Sequence, residues 1–312
     1  MNPIRIVTRG SALALAQANM VLTQCRAALP EETFEIRIIK TTGDKLQTAS
    51  LASASLPKGL FTKELEAALL SGEGDLAVHS LKDLPTELPA GLALSAVSAR
   101  ADVRDVLIAR RSGSPVSPTL ESLPRSATVA TSSTRRRAQL LHRRPDLNVV
   151  EIRGNVGTRL RKLADDPRLD AILLAAAGLE RLGFRMGEDS EISGEGVPPG
   201  LHATALATDE MLPCVGQAAL GIETRENDPR IERVCAALNH APTASCVTAE
   251  RAFLRGMGGG CQLAVGALAE IVKGTLRLQA ISFLGPEPRR GERTGAAAEA
   301  NELGAALARE LA

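Results

Sequence analysis

A chain of 312 residues, 44% hydrophobic and 23% charged, has the composition of a soluble globular protein with room for two or three domains. Its formal net charge of +1 excludes a global field that would draw it to nucleic acid or an anionic membrane. The lack of Trp and Tyr also disfavours nucleic-acid readers that stack bases on aromatic side chains.

The near-neutral total conceals 30 Arg against 7 Lys. The planar fork of arginine fits carboxylates and phosphates bidentately, although a high-GC coding bias enriches it too. The cysteines Cys25, Cys214, Cys235, Cys246 and Cys261 are odd in number and show no C-x-x-C spacing. His79, His142, His202 and His240 are scattered. Neither a disulfide framework nor a metal site is expected, and a reducing compartment fits. The N-terminus enters a strand pattern without the features of a secretory signal, and no apolar run approaches a membrane span, so a cytoplasmic location is expected.

In chain order, Ile4 and Ile6 alternate with polar residues as on a half-buried strand. Thr8-Arg9-Gly10-Ser11 follows, with Ser11 placed to cap a helix over 12–29 that Pro30 ends. A strand–turn–helix start leaves free N–H groups beside Arg9, which reads as an anion site. Residues 34–41 read as the next strand. The stretch 42–60 is polar and aperiodic, and loops of that length are uncommon unless they are mobile or functional. A helix over 61–70 and a short strand over 75–79 lead into His79-Ser80-Leu81-Lys82-Asp83-Leu84-Pro85. Ligands of open α/β sheets bind beyond the carboxyl ends of strands, so Asp83 there is a candidate acid. A solvated Lys–Asp pair is the plainer reading of that fragment taken alone.

Strands are expected over 91–98 and 105–109, with 100–104 as a hinge between domains and 111–118 as a loop. Strands over 127–131, 148–152 and 170–175 then alternate with helices over 132–143, 155–163 and 176–182. That alternation predicts a doubly wound α/β sheet. Between residues 125 and 161 stand nine Arg against Asp146 and Glu151 alone. Thr131-Ser132-Ser133-Thr134-Arg135-Arg136 and Arg153-Gly154-Asn155-Val156-Gly157-Thr158-Arg159 both run from strand end to helix start, which describes two anion sites on one sheet edge. Residues 188–200 read as a loop, 218–223 as a strand returning to the first sheet, and 228–239 and 243–255 as helices. Arg255-Gly256-Met257-Gly258-Gly259-Gly260-Cys261-Gln262 places one thiol at the end of a glycine run. Glycine admits φ > 0 and close approach, so such a thiol is presented rather than packed. Strands over 263–272 and 275–284 and a helix over 296–311 complete a small α+β unit.

Taken together, these segments resemble the porphobilinogen deaminase family. They are Thr8 to Ser11, Lys58-Gly59-Leu60-Phe61-Thr62-Lys63-Glu64-Leu65-Glu66, and Ala77 to Pro85. Thr131 to Arg136, Arg143-Arg144-Pro145-Asp146-Leu147, Arg153 to Arg159, Ala177-Gly178-Leu179-Glu180-Arg181-Leu182-Gly183 and Gly259 to Gln262 complete the set. The chain departs from the family at Leu56-Pro57, at Leu263-Ala264 and at Ala218, where the family commonly has Gly-Gly, Val-Pro and Gly.

The resemblance implies three domains: 1–101 with 203–224, then 102–202, then 225–312. The first two would be doubly wound α/β units of the type II periplasmic-binding-protein kind with the active site between them. The third would be a small α+β domain carrying the cysteine. The resemblance further implies a dipyrromethane cofactor bonded to the Cys261 sulfur, on which four porphobilinogens are joined with loss of ammonia before water releases hydroxymethylbilane. By residue match, Asp83 is catalytic. Lys82, Ser132, Ser133, Arg135 and Arg136 hold the cofactor, and Arg9, Ser11, Arg153, Arg159 and Arg181 contact substrate or growing chain. A six-ring chain carries about twelve carboxylates, which makes the arginine cluster intelligible through bidentate pairing. The family also suggests a monomer. Two other readings use part of the pattern: a non-catalytic binding protein for a small anion, which needs neither Asp83 nor Cys261, and a polyanion-binding module, which rests on the arginine cluster alone.

Overall fold

The computed structural model describes residues 2–41, 62–110, 117–260 and 262–312. The expected features at 42–60 and at Cys261 lie outside the described residues.

The first sheet starts with β1 (Ile4–Arg9), whose apolar residues point both ways: Ile4 and Ile6 join one core and Val7 the other. Burial on both faces is what a parallel strand between helical layers requires. Helix α1 (Ala12–Ala28) follows, and the cap expected at Ser11 is present, with Ala14 N–H donating to Ser11 Oγ at 3.3 Å. β2 (Phe34–Ile39), α2 (Lys63–Leu70), β3 (Leu76–Ser80) and β4 (Leu92–Val97) come next. Ala18, Val21 and Cys25 of α1 cover one face of the sheet, and Leu65 and Leu69 of α2 cover the other.

The chain then crosses to a second sheet through β5 (Asp105–Arg110), β6 (Thr128–Ala130), α3 (Thr134–Arg143), β7 (Asn148–Val150) and α4 (Val156–Asp165). β8 (Ala171–Ala175) and α5 (Ala176–Arg181) follow. Within the expected loop 188–200, Ile192–Ser193 (β10) pairs antiparallel with Arg185–Met186 (β9), a short hairpin too brief to leave a periodic signature. β11 (Leu201–Ala205) pairs antiparallel with β5, so the division expected between 202 and 203 falls inside a strand of the second sheet. Leu206 and Met211 are still buried in that sheet's core. The return crossing therefore comes later, just ahead of β12 (Leu220–Arg225), which enters the first sheet.

Both five-stranded sheets have one topology. The first runs β2-β1-β3-β12-β4 and the second, read from its far edge, β7-β6-β8-β5-β11. In each, the fourth position is an antiparallel strand that arrives directly from the other half: β12 in the first sheet and β5 in the second. That double exchange makes the two sheets the cores of two like α/β lobes.

Helix α6 (Pro229–Leu238), expected in the third domain, instead packs Ile231, Val234 and Cys235 into the first sheet's core with α1. Its helical spacing was legible, but which sheet its apolar face covers depends on long-range packing. The third unit proper is α7 (Ala241–Gly256), β13 (Val265–Val272), β14 (Thr275–Ser282), β15 (Arg289–Gly295) and α8 (Ala300–Leu311). Phe253, Leu276, Leu278 and Leu307 centre its core, and Leu263, one of the family departures, packs against it. β15 went unread because its sequence, Arg-Arg-Gly-Glu-Arg-Thr-Gly, is that of an exposed edge strand without alternating apolar residues.

Glu250 on α7 is fully buried and bolts this unit to both crossings. It accepts from Arg100 Nη1 at 2.6 Å and Nη2 at 3.0 Å, from Gly216 N at 2.8 Å and from Ala269 N at 2.8 Å. A buried carboxylate is tolerated when it is paired and its lone pairs are filled, as they are here.

Candidate active site

The parallel pairing of β1 with β3 brings the carboxyl ends of both strands to one edge of the first sheet. Ser80, at the end of β3, exchanges hydrogen bonds with Gln17 of α1 at 2.8 and 3.2 Å, which ties the helix capped by Ser11 to the next turn. That turn is the 3-10 segment Leu81–Asp83. Leu81 anchors it in the core, Lys82 is half-buried and Asp83 is exposed. Asp83 has no hydrogen bond among the described residues, so its carboxylate faces outward uncommitted.

The return crossing passes directly beneath this turn. Gly216 has φ +69°, and a Cβ there would lie 3.1 Å from Leu81 Cγ and 3.3 Å from Lys82 N. Glycine alone permits that approach. Two residues on, Ala218 holds φ +72° and is 5% exposed. Its carbonyl accepts from Arg181 Nη2 at 2.5 Å and from Ala101 N at 3.3 Å. The family departure at this position thus places a methyl group in the left-handed region. Ala218→Gly is expected to raise stability by up to ~1 kcal/mol, since the relieved backbone strain is partly offset by glycine's greater freedom when unfolded. Urea unfolding of the variant checks this, and a lower midpoint would contradict it.

On the second sheet, α3 begins behind Ser133, whose Oγ accepts from Arg136 N at 3.3 Å. Ser132 Oγ donates to Ile152 O at 2.6 Å, linking the starts of the two basic segments. Arg135 and Arg136 turn inward and are 3% and 6% exposed. Both pair with Asp105, a fully buried carboxylate at the start of β5: Arg135 Nη2 and Arg136 Nη2 each donate to it at 2.7 Å. Burial alone would raise the Asp105 pKa, but the two guanidiniums hold it far below the usual carboxylate range. Arg135 Nη1 donates to Leu212 O and Arg136 Nη1 to Leu173 O, whereas the Arg135 Nε–H is buried without a partner. Asp105 was missed in the sequence because it opens an ordinary apolar strand about thirty residues before its partners.

Arg159, in α4, donates from Nε to Gly154 O at 2.8 Å. Gly154 has φ +115°, and a Cβ there would lie 2.8 Å from Thr158 Cγ2, so this turn also requires glycine. Burial pushes the Arg159 pKa down, the Arg136 charge adds to this, and Asp83 opposes it. Burial likewise lowers Lys82, again with Arg136 assisting and Asp83 opposing. The charges of Lys82, Asp83, Asp105, Arg136 and Arg159 therefore act on one another across the two lobes. Arg181 is also pushed down by burial, and its Nε–H is buried without a partner. Arg153 is different: it is exposed, and its only ion pair among the described residues is a 3.4 Å contact with Glu151. A second unanticipated residue is Cys214, a half-buried thiol in the same cluster whose pKa burial pushes up against the charges of Arg135 and Lys82.

The third unit reaches the same place. Thr134 Oγ1, in the first turn of α3, donates to Gln262 O at 2.7 Å. On the opposite side, Arg251 of α7 donates to Leu84 O at 3.1 Å and Pro85 O at 2.6 Å, and Arg255 Nη2 to Thr86 O at 3.3 Å. Burial pushes the Arg251 pKa down to about 10, so this clamp keeps a costly cation against the segment that follows Asp83. Gln262 is thus tied to the second lobe, and α7 to the first.

The donor set fits a polycarboxylate. Burial makes the charged forms of Lys82 and Arg159 less favourable, an incoming carboxylate reverses that, and the orphaned N–H groups of Arg135 and Arg181 lack acceptors that such a ligand has. Two α/β lobes meeting at a cation-lined edge, with a third unit docked on their crossings, define a two-lobed protein built for an extended organic anion.

Residues 4–233 match the family model described as porphobilinogen deaminase, dipyromethane cofactor binding domain, and residues 244–312 match the porphobilinogen deaminase C-terminal domain. The chain belongs to the porphobilinogen deaminase family. It is 46% identical to the porphobilinogen deaminase of Thermus thermophilus, over 100% of this chain and 96% of the relative. It is 48% identical to that of Desulforudis audaxviator, over 97% and 92%, and 45% identical to that of Moorella thermoacetica, over 100% and 93%.

Proposed function

We propose that this chain condenses four porphobilinogen molecules head to tail, with loss of ammonia, and releases hydroxymethylbilane by hydrolysis. The observation that supports this most directly is that Lys82 of one lobe and Arg159 of the other both feel the charge of Asp83, whose carboxylate makes no hydrogen bond among the described residues. A dipyrromethane bonded to Cys261 supplies the free pyrrole end on which the product grows.

The chain's own groups do the rest. Lys82, the Ser133 hydroxyl and Arg135 hold the carboxylates of the primer, with Ser132 and Arg136 fixing the frame around them. Arg9, Ser11, Arg159 and Arg181 hold those of the substrate, and Arg153, exposed at the start of α4, meets the growing product. When ammonia leaves, positive charge develops on the substrate's pyrrole. The Asp83 carboxylate stabilises that charge and, once the α-carbon of the terminal ring has bonded to the substrate's methylene carbon, takes the proton that this α-carbon loses. Because Asp105 already neutralises one of the two inner guanidiniums, the site keeps enough positive charge to bind carboxylates without driving its own arginines apart.

The protein works as a cytoplasmic monomer in this reading, and no described helix is long and apolar enough to cross a membrane. The test is the intact mass of protein purified from a haem-making host. The expected mass exceeds the sequence value by one dipyrromethane, and Cys261→Ser loses the increment. An unmodified mass for folded, active protein overturns the assignment. The small-anion carrier reading fails on the same measurement if the increment is found.

A further inference from the structure

Gln217 lies in the return crossing and is completely buried. Its amide has two donor hydrogens and one acceptor oxygen, and its surroundings settle which way round it sits. Nε2 donates to Val103 O at 2.8 Å and to Asp105 Oδ1 at 2.9 Å. Both partners are acceptors only, since Asp105 is ionised. The amide nitrogen must therefore face the second lobe, and the oxygen must face the first. There it accepts from Lys82 Nζ at 3.5 Å, the single hydrogen bond of Lys82 among the described residues. The main chain is fixed as well: Gln217 O accepts from Arg100 Nε at 2.9 Å, and Gln217 N donates to Cys214 O at 2.9 Å.

We propose that Gln217 is a positioning residue that couples the cation of the first lobe to the arginine pair of the second, so that both meet the same bound carboxylates. The inference rests on the site reading above. An amide suits the position for two physical reasons. A glutamate would place a second carboxylate against Asp105 and would neutralise Lys82. An apolar side chain would leave Lys82 without a fixed direction and would unsatisfy one lone pair of Asp105 and the Val103 carbonyl. The long contact to Lys82 aims the ammonium while leaving its other N–H groups for a ligand. The groups facing Lys82 are Asp83 on its own turn, Arg136 and Asp105 on the second lobe, and Cys214 on the crossing.

The test is a double-mutant cycle on the full chain, produced without cofactor in a host unable to make porphobilinogen. Lys82→Met, Gln217→Met and the double variant are compared for the rate at which they acquire the cofactor mass, together with melting temperature. Lys82→Met is expected to slow acquisition by roughly tenfold or more, as loss of a charged hydrogen-bonding group should. Gln217→Met is expected to slow it roughly fivefold, with a change of less than about twofold when Lys82 is already Met, because the two act as one unit. Gln217→Asn, which withdraws the oxygen from Lys82 but keeps an amide, gives the same pattern if Gln217→Met does not fold. A Gln217 variant that acquires cofactor at the normal rate, or one whose slowing multiplies fully with that of Lys82→Met, overturns the inference while leaving the site reading intact. Normal acquisition by Lys82→Met overturns both.

Discussion

Asp83→Asn is expected to fold, acquire its cofactor and lose turnover by roughly 10²- to 10⁴-fold, the usual contribution of a positioned acid–base group. The separation of stability from activity follows from the geometry. Asp83 is exposed and makes no hydrogen bond among the described residues, so its amide should change stability by less than about 0.5 kcal/mol. Its charge nevertheless acts on Lys82 and Arg159, the cations to which the proposed function gives the cofactor and substrate carboxylates. Asparagine keeps the shape but cannot offset positive charge on a pyrrole or take its proton. Melting temperature, intact mass and single-turnover rate measured on one preparation check all three parts. Normal turnover removes the catalytic role assigned to Asp83.

Asp105→Asn should behave in the opposite way, with its largest effect on the frame. The carboxylate is fully buried and receives hydrogen bonds from Arg135, Arg136 and Gln217. Removing one partner of a buried ion pair typically costs about 3–5 kcal/mol, because the remaining charge is left uncompensated. Here two guanidiniums on adjacent residues would remain. Denaturant unfolding should show that loss, and cofactor acquisition should fail in the surviving folded fraction.

The dependence on pH has a definite sign. Asp105 has its folded pKa depressed below the ordinary 3.8, so its contribution is fully present above that value and is lost as the pH falls through the folded one. The stability gap between the two proteins should stay constant from neutral pH down to about 3.8 and close only below it. An equal midpoint at neutral pH, or a gap that closes between pH 7 and 5, contradicts this account.

Much of the candidate site was legible because its parts are local. The Ser11 cap, the hydroxyl-rich start of α3 and the glycine-bearing turn before α4 are signatures spanning a few residues, and each is present. The expected return of a strand near 218–223 to the first sheet also holds. The residues that join those parts were not legible. Asp105, Gln217, Glu250 and Arg251 are ordinary members of a strand, a loop and a helix until the chain has crossed between lobes twice. Their partners lie at separations such as the 112 residues between Asp105 and Gln217 or the 167 between Leu84 and Arg251.

The sequence by itself determined the α/β alternation, the capped helix starts with their basic residues, the turn that carries Asp83 and the glycine run ahead of position 261. These follow from backbone conformation and hydrogen bonding within a few residues, which residue type and spacing encode directly. Only the tertiary structure decided that α6 covers the first sheet, that β11 completes the second, and that the two inner arginines share one buried carboxylate. Those outcomes depend on which apolar faces pack together and on which buried charge finds its counter-charge. Both are properties of the closed chain, and no local window contains them.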